Sequence, residues 1–352
     1  MPRGTGNSMI LAGLAAEPAL WRLAAPGAEG RSLEVEGLRL VTSSRGPWPV
    51  AVPGPGQVQA LALDPGAEAP ALEHLLTGLG FRRAGEVWIG TGEAPAQPLA
   101  PGVLEVVLAT AEDILSLQGR AEATEIAKRL GPMLVRAASR LRAEAGAAPA
   151  RLRLADGRVT RADWRLPYAH FFSMEEHDIA WQRFDGTMSG TVTRAAFVSG
   201  DAVTVLPYDP IRDRVLVIEQ FRAGPLVRGD RRLWQIEAIA GRVDPFETPE
   251  EAARREAVEE AGLTLSDLRF VARYYPSPGA VSEYIYTYVA LTDLPDGAAG
   301  VFGLEEEAED IRGHLLGFDA FMELVASGEI DNAPLLLTAL WLQRERLRLR
   351  GS

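Results

Sequence analysis

Carboxylates and a single arginine recur at fixed spacing between residues 241 and 263, where the chain reads GRVDPFETPEEAARREAVEEAGL. The segment has the form G-x5-E-x7-R-E-Φ-x-E-E-x-G-Φ, in which Φ is an apolar residue. Glu256, Glu259 and Glu260 fall at positions i, i+3 and i+4, so a helix would project their carboxylates from one face. Like charges at that spacing destabilise a helix, and a divalent cation with oxygen ligands, such as Mg²⁺, would compensate them.

The residues around these carboxylates predict one helix with defined ends. Thr248 is a good N-cap, and Pro249 fits the first helical position. Glu250 and Glu251 favour the positive end of the helix dipole, and Gly262 is a natural stop. A solvated charged helix is the plain alternative, because i,i+4 ion pairs are common on protein surfaces. The upstream glycine, the isolated Glu247 and the closing Gly262 favour a functional segment instead.

Composition limits the classes of protein that fit. The chain has 352 residues and a net charge of -12. This acidity argues against a nonspecific nucleic-acid binder, which needs a basic face. Cysteine is absent, which excludes disulfides, a thiol nucleophile and a zinc-cysteine site. The first residues lack a signal-peptide core and no apolar run is long enough to span a bilayer, so we expect a cytoplasmic protein without membrane contact.

Periodicity predicts two domains, over residues 9–148 and 160–350. The first carries short β-like runs, then a helical pattern over 111–145 that breaks near Gly131, and a linker-like segment from Gly146. Its predicted strands are Leu38–Thr42, Val58–Leu63, Glu86–Ile89 and Val103–Leu108. These runs predict a smaller mixed α/β domain, either a small barrel or an open sheet.

The second domain alternates strands with a helix before ending in helices, which predicts an α+β sandwich. Its predicted strands are Asp201–Leu206, Arg214–Phe221, Leu233–Ala240, Leu268–Tyr275 and Tyr284–Leu291. Its predicted C-terminal helices are Phe318–Ser327 and Ala333–Arg348.

The segment at 241–263 matches the Nudix box, and its flanks resemble the ADP-ribose pyrophosphatase branch of the Nudix hydrolases. The resemblance covers about residues 168–348 in order. The residues that carry it are Arg183–Ser189, Arg194, Val217–Arg222, Glu237–Gly241, Ser277–Gly279 with Ser282 and Glu283, Gly303–Arg312 and Gly328–Ala333. The resemblance implies a Nudix α/β/α sandwich and Mg²⁺-dependent hydrolysis of ADP-ribose to AMP and ribose 5-phosphate, with Mn²⁺ as an alternative metal.

The resemblance also implies a metal site and a catalytic group. The carbonyl of Ala240, with Glu256 and Glu260, would ligate metal, and Glu259 would complete the cluster. Arg255 would pair with Glu247 or Glu259 and orient the carboxylates. Aligned on Glu-Asp-Ile-Arg, the family's catalytic base falls on Glu307 and a further metal ligand on Glu309. An exposed acidic loop is the alternative for 304–310, and the register within 305–307 stays open.

Substrate contacts follow from the same resemblance. Arg222 and, more weakly, Arg194 correspond to phosphate-binding arginines, and a strand-end surface arginine is the alternative for each. Glu283 resembles a substrate-side glutamate, and Pro278 and Gly279 would shape the pocket. Phe171 or Phe172 would stack on adenine, with core packing as the alternative. The strands within 164–200 match a segment that builds a dimer interface in this family, so we expect a homodimer.

The first domain faintly resembles gamma-glutamylcyclotransferase-like domains, through Ile10–Ala24, Pro47–Pro55 and Val58–Leu63. Its opening motif departs from the family's Tyr-Gly-Thr-Leu, and Leu72–Phe81 lacks the expected glutamate, so this copy would be catalytically inactive. Fusions of such a head to a Nudix tail resemble proteins labelled as tellurite-resistance factors. An unrelated small α/β domain is the alternative.

Two other functions remain open for the second domain. One is hydrolysis of another nucleoside diphosphate linked to a further group, such as a dinucleotide cofactor. The other is a non-catalytic sensor of ADP-ribose or nucleotides. The preferred substrate, the physiological metal and the role of residues 1–150 are not determined by these patterns.

Overall fold

The computed structural model describes residues 8–146, 152, 157–304 and 309–351. The chain divides into two compact units, Met1–Ala155 and Asp156–Ser352. Each unit has its own sheet and its own buried apolar residues. No helix in the described ranges combines the length and the apolar character needed to cross a membrane.

The first unit contains a five-stranded mixed sheet in the order β2-β3-β1-β5-β4 and five α-helices among its described residues. Its strands are β1 (Met9–Ala12), β2 (Glu29–Thr42), β3 (Pro49–Asp64), β4 (Arg82–Ala84) and β5 (Val87–Ile89). Its helices are α1 (Pro18–Ala24), α2 (Ala69–Gly78), α3 (Pro101–Ser116), α4 (Ala123–Lys128) and α5 (Leu130–Ala145).

The segment that follows β5 contacts β2, which lies at one edge of the sheet in the first unit. After β5 the chain crosses to β2, where Val41 forms an isolated bridge with Pro95. The Thr42 N–H also donates to the Ala94 carbonyl at 2.9 Å. This link gives the open strand order the partial closure that a barrel-like domain requires.

One strand prediction for the first unit is wrong. Val103–Leu108 is not a strand but lies inside α3, where Val103, Val106 and Val107 are buried on one face. Their spacing suits a helix as well as a short strand, and Pro101 at the helix start decides in favour of the helix. The predicted break near Gly131 is confirmed, because α4 ends at Lys128 and α5 begins at Leu130. Beyond Gly146, the expected linker at 147–150 lies outside the described residues.

The second unit has a three-stranded antiparallel sheet, β6-β7-β8, and an eight-stranded mixed sheet. The strands are β6 (Val159–Ala169), β7 (Ser173–Trp181), β8 (Val192–Val198), β9 (Ala202–Asp209), β10 (Arg214–Phe221), β11 (Trp234–Glu237), β12 (Ile239–Arg242), β13 (Asp267–Tyr274), β14 (Ile285–Leu291), β15 (Val301–Phe302) and β16 (Ile311–Gly317). The helices are α6 (Ala223–Arg228), α7 (Pro249–Ala261), α8 (Phe318–Ser327) and α9 (Ala333–Arg350).

The hairpin of β9 and β10 opens a short distance from its turn. The two strands pair directly only at Asp209–Arg214 and Tyr208–Val215. Beyond that point β12 pairs with β9, and β11 pairs with β10. The predicted single strand Leu233–Ala240 is therefore two short strands, because each half takes a different partner. This opening brings Gly241 to the start of β9, below the helix that follows.

Helices cover both faces of the eight-stranded sheet, which confirms the predicted α/β/α sandwich. On one face α7 buries four alanines, which let its backbone lie close to the strands; they are Ala252, Ala253, Ala257 and Ala261. On the other face α8 and α9 bury larger groups, including Phe321, Leu335 and Leu342. The close approach of α7 places its carboxylates directly beside β12.

Asp213 clamps the C-terminal helix to the β9–β10 turn. Its carboxylate accepts hydrogen bonds from the Tyr208 hydroxyl at 2.8 Å and from Arg346 Nε at 2.9 Å. Arg350 Nη1 donates to the same carboxylate at 2.7 Å. Asp213 also has a φ of 57°, a left-handed conformation that aspartate tolerates better than most residues. One side chain therefore joins the turn to α9.

Replacing Asp213 with alanine should lower the free energy of unfolding by roughly 2 to 4 kcal/mol, because two arginines and a hydroxyl lose a largely buried acceptor. Urea unfolding followed by circular dichroism measures the change. Asp293→Ala is the matched control, because Asp293 is exposed where it pairs with Arg212, and its loss should cost under about 1 kcal/mol. Equal losses in the two variants would contradict the clamp.

Candidate functional site

The local sequence of α7 produces the helix ends that were expected. The Thr248 hydroxyl accepts from the Glu251 N–H at 3.2 Å, and Glu251 Oε2 accepts from the Thr248 N–H at 2.8 Å, which forms a capping box. Gly262 ends the helix with a φ of 63°. Glu256, Glu259 and Glu260 consequently lie on consecutive turns of one rigid helix.

Gly241 is required by the close approach of a carboxylate. A Cβ atom at this position would lie 1.8 Å from Glu256 Oε1. Its φ is not in the left-handed region, so the backbone conformation does not require glycine here. The missing side chain leaves room for Glu256 against the backbone of β12.

Arg255 joins three glutamates through one guanidinium group. Its Nη2 donates to Glu247 Oε1 at 2.7 Å, and its Nη1 donates to Glu256 Oε1 at 2.8 Å and to Glu259 Oε2 at 2.9 Å. Nη2 also donates to the Arg242 carbonyl at 3.0 Å. The sequence left Glu247 and Glu259 as alternative partners, and Arg255 bonds both of them. The arginine therefore fixes the positions of the carboxylates and offsets part of their repulsion.

Glu260 is the most buried of the helix carboxylates, with 2% of its surface exposed. Its Oε2 accepts a hydrogen bond from the Ala240 N–H at 3.0 Å. Burial raises the pKa of Glu260 to about 8, although the Ala240 hydrogen bond opposes the rise. The charges of Glu256 and Glu309 add to the rise. A carboxyl in this position holds a proton near neutral pH unless a cation replaces it.

Burial also raises the pKa of Glu256, to about 7. The positive charge and hydrogen bond of Arg255 oppose this rise, whereas Glu259 and Glu309 add to it. The charge of Glu309 therefore contributes to the raised pKa of both Glu256 and Glu260. Glu309 accepts from the Leu304 N–H at 3.3 Å, so it is held at the end of the acidic segment. Glu307 lies outside the described residues.

The chemistry of these donors suits a hard divalent cation. Carboxylate and carbonyl oxygens are the preferred ligands of Mg²⁺. Of the predicted ligands, Glu260 contacts Ala240 through the backbone N–H, and Glu256 lies beside Gly241. Across the described ranges, no three His, Asp or Glu side chains are arranged as a metal site. Arg255 and the Ala240 N–H donate to carboxylate oxygens of Glu256 and Glu260.

A second group of charged residues lies beside the helix carboxylates. Arg222 Nε donates to Glu237 Oε2 at 2.8 Å, and the Arg222 charge also acts on Glu260 and Glu283. Burial raises the pKa of Glu283, and the charges of Arg242 and Arg222 oppose the rise. Arg222 and Glu283 are therefore in the same neighbourhood as the acidic cluster.

Arg242 is a site residue that the sequence did not indicate. Its guanidinium carbon lies 4.2 Å from the Phe171 ring centroid and 5.4 Å from that of Phe172, within cation–π range. Its charge also acts on Glu283. No spacing pattern in the sequence marks Arg242 as functional. The pairing of β12 with β9 brings it towards the phenylalanines. Phe172 further packs on Phe197, with ring centroids 4.7 Å apart. Phe171 is 64% exposed and Phe172 is 36% exposed, so neither belongs to the core.

Two other predicted positions lie at different places in the unit. Arg194 is on β8, where its guanidinium carbon lies 5.6 Å from the Trp181 ring centroid, and no contact of Arg194 reaches α7 among the described residues. The loop with Pro278 and Gly279 is joined to the end of β8, because the Phe197 N–H donates to the Ala280 carbonyl at 2.7 Å. A Cβ at Gly279 would meet no atom within 4 Å, so the surroundings leave that position open.

Comparisons with known proteins agree with this geometry. The family model described as "NUDIX domain" matches residues 198–337. The chain is 37% identical over 184 residues to the ADP-ribose pyrophosphatase of Escherichia coli strain K12, covering 52% of this chain and 87% of that protein. It is 35% identical over 187 residues to the Haemophilus influenzae ADP-ribose pyrophosphatase, covering 53% of this chain and 86% of that protein.

A further relative carries a different substrate in its name. The GDP-mannose pyrophosphatase of Salmonella paratyphi B is 34% identical over 154 residues, covering 44% of this chain and 79% of that protein. The box, the sandwich and these relatives together define a class of protein. The chain belongs to the Nudix family, through its second unit.

Replacing Gly241 with alanine should displace the Glu256 carboxylate and break its bond to Arg255, because the added Cβ would occupy the same space. We expect a loss of about 1 to 3 kcal/mol in the free energy of unfolding, measured by urea titration. Gly224→Ala is the matched control, because nothing lies within 4 Å of its Cβ position. Its effect should stay within about 1 kcal/mol and favour stability. A neutral Gly241→Ala variant would contradict the close approach.

The stability of the metal-free protein should fall as pH rises from about 4.5 to about 8. In that window the folded Glu260 keeps a proton that the unfolded chain releases, so raising the pH favours unfolding, by at most about 1.4 kcal/mol per pH unit for one group. Unfolding with EDTA present, at several pH values, measures the slope. Glu260→Gln should flatten the profile, and an identical slope in that variant would count against the assignment.

Proposed function

We propose that the second unit hydrolyses the diphosphate of ADP-ribose, or of a closely related nucleoside diphosphate sugar, in a reaction that requires Mg²⁺. The observation that carries this proposal is the buried carboxylate cluster beside Gly241, organised by Arg255. Identity of 37% to a protein named ADP-ribose pyrophosphatase supports the choice of substrate. In this reaction a water oxygen attacks one phosphorus and the bridging P–O bond breaks, which gives AMP and ribose 5-phosphate.

Four groups would hold the metal: the Ala240 carbonyl and the carboxylates of Glu256, Glu260 and Glu309. A divalent cation held there would offset negative charge on the diphosphate and would make a water molecule more acidic. Two of these carboxyls, Glu256 and Glu260, have pKa values raised by burial, so cation binding would release their protons at neutral pH. The protein thus supplies a buried acidic site in which a cation would take the place of these protons.

Residues around the metal site would position and deprotonate the attacking water. Glu307 is the proposed general base, since a carboxylate within reach of a metal-bound water is adequate for this step. Glu259 would complete the acidic cluster through water. Arg255 is a positioning residue, because its contacts are with Glu247, Glu256 and Glu259.

The substrate would be held by groups on the other side of the cluster. Arg222 is well placed to bind phosphate oxygens, because it already lies near Glu260 and Glu283. Arg194 is a weaker candidate, because its guanidinium group lies over the Trp181 ring. The proposed substrate-binding set is Arg222, Arg194, Glu283, Pro278, Gly279 and Phe172.

A related substrate is the second candidate. The relative named GDP-mannose pyrophosphatase is 34% identical, so a different nucleoside or sugar on the diphosphate stays within reach of this site. Other nucleoside diphosphates, such as dinucleotide cofactors, belong to the same possibility. A non-catalytic nucleotide sensor is disfavoured, because simple binding does not require several buried carboxylates at one place.

We also infer a homodimer and a cytoplasmic location for the protein. The strands β6, β7 and β8 contain the segment 164–200 on which the dimer expectation rests. For residues 9–148 an inactive gamma-glutamylcyclotransferase-like module, as in the fusions labelled as tellurite-resistance factors, remains the proposal. Sedimentation of the purified chain tests the dimer directly.

Glu260→Gln should lower kcat for ADP-ribose by a factor of roughly 100 or more at saturating Mg²⁺, because it removes a charged metal ligand. Glu307→Gln should lower kcat by a similar factor while leaving metal affinity unchanged. Glu323→Gln in α8 is the control, since Glu323 is exposed on a different helix, and it should retain full turnover. Full activity in Glu260→Gln would contradict the metal site.

Product analysis separates the candidate substrates. ADP-ribose, NADH, GDP-mannose and UDP-sugars are incubated in parallel with the full chain and Mg²⁺, and mass spectrometry identifies the products. We expect the highest kcat/KM with ADP-ribose, with AMP and ribose 5-phosphate as products. Binding of ADP-ribose without any product would support the sensor and would overturn the enzymatic proposal.

A further inference from the structure

A cavity of about 430 Å³ lies within the first unit, bordered by the β4–β5 hairpin and by α4. Four basic side chains line it: Arg45, Arg82, Arg83 and Lys128. Among the described residues no aspartate or glutamate lines it. The cavity is therefore strongly cationic, although the whole chain has a net charge of -12.

Nearby acidic groups compensate only part of this charge. Arg83 pairs with Glu73 at 2.9 Å, and Lys128 pairs with Glu125 at 2.7 Å. Neither Arg45 nor Arg82 forms an ion pair in the part of the chain that the structure describes. Lys128 is also the only lysine of the protein. Two guanidinium groups at the cavity remain available for an anion.

A buried hydrogen-bond donor gives independent support for a ligand. Trp88 lines the cavity with 3% of its surface exposed. Its indole Nε1 is buried and has no hydrogen-bond partner among the described residues. Leaving such a donor unsatisfied is costly, and buried tryptophan N–H groups usually have a partner. An acceptor atom of a bound molecule would satisfy it.

We propose that this cavity binds a small phosphorylated molecule through its phosphate group. A phosphate monoester carries up to two negative charges and three acceptor oxygens, which suit forked arginine donors better than a carboxylate does. The rings of Phe81 and Trp88 supply apolar surface for the remainder of the ligand. The volume lies within the range of small-molecule sites. The proposal does not depend on the function proposed for the second unit.

The test uses the Trp88 indole N–H signal of the ¹⁵N-labelled full chain, assigned as the signal that disappears in Trp88→Phe. Inorganic phosphate, ribose 5-phosphate and AMP are titrated separately without divalent metal, with glutamate and citrate as carboxylate probes. We expect that signal to shift on adding phosphate compounds, with tighter binding of an organic phosphate than of inorganic phosphate. Because Trp88 belongs to the first unit, a shift of its signal distinguishes binding at the cavity from binding to the second unit.

Variants test whether the shift of the Trp88 signal depends on the cationic side chains of the cavity. Arg82→Ala and Arg45→Ala should each weaken phosphate binding by roughly tenfold, because each removes a charge-assisted hydrogen bond. Arg31→Ala is the control, since Arg31 is an exposed residue of β2 that does not line the cavity. No shift with any phosphate compound, a tighter response to carboxylates, or an equal loss in Arg31→Ala would each overturn the proposal.

Discussion

The candidate site of the second unit depends on one interaction. The guanidinium group of Arg255 holds the carboxylates of α7 beside β12. Arg255 touches Glu247, Glu256 and Glu259 at once, and this contact offsets repulsion that the helix alone could not tolerate. Burial then raises the pKa of the two carboxyls nearest β12. The cluster consequently carries negative charge that Arg255 only partly offsets, and we propose that a divalent cation offsets the rest.

The fold around the cluster lets the carboxylates of α7 lie close to the backbone of β12. Four alanines bring α7 close to the sheet, and Gly241 leaves the space that the Glu256 carboxylate fills. The open β9–β10 hairpin admits β12, whose Ala240 N–H bonds Glu260. Larger residues at any of these points would move the carboxylates away from the backbone. Packing and charge therefore both determine the positions of these carboxylate atoms.

The two units present opposite electrostatic surfaces to small molecules. The candidate site of the second unit is acidic and suits a cation held between protein and diphosphate. The cavity of the first unit is basic and carries an unsatisfied indole donor, so it suits an anion directly. Residues 1–150 hold 13 Arg and Lys against 15 Asp and Glu, so the basic cavity reflects local placement and not overall composition.

The sequence by itself determined the box, the ends of α7 and the order of most strands, because each depends on local spacing and capping chemistry. It determined neither the split of Leu233–Ala240 into two strands nor the helix at 101–116, because short apolar runs fit either structure until partners are chosen. Only the tertiary structure placed Arg242 over Phe171 and assembled the basic cavity of the first unit. Those contacts join residues that are distant along the chain, and no local pattern carries information about how close they come.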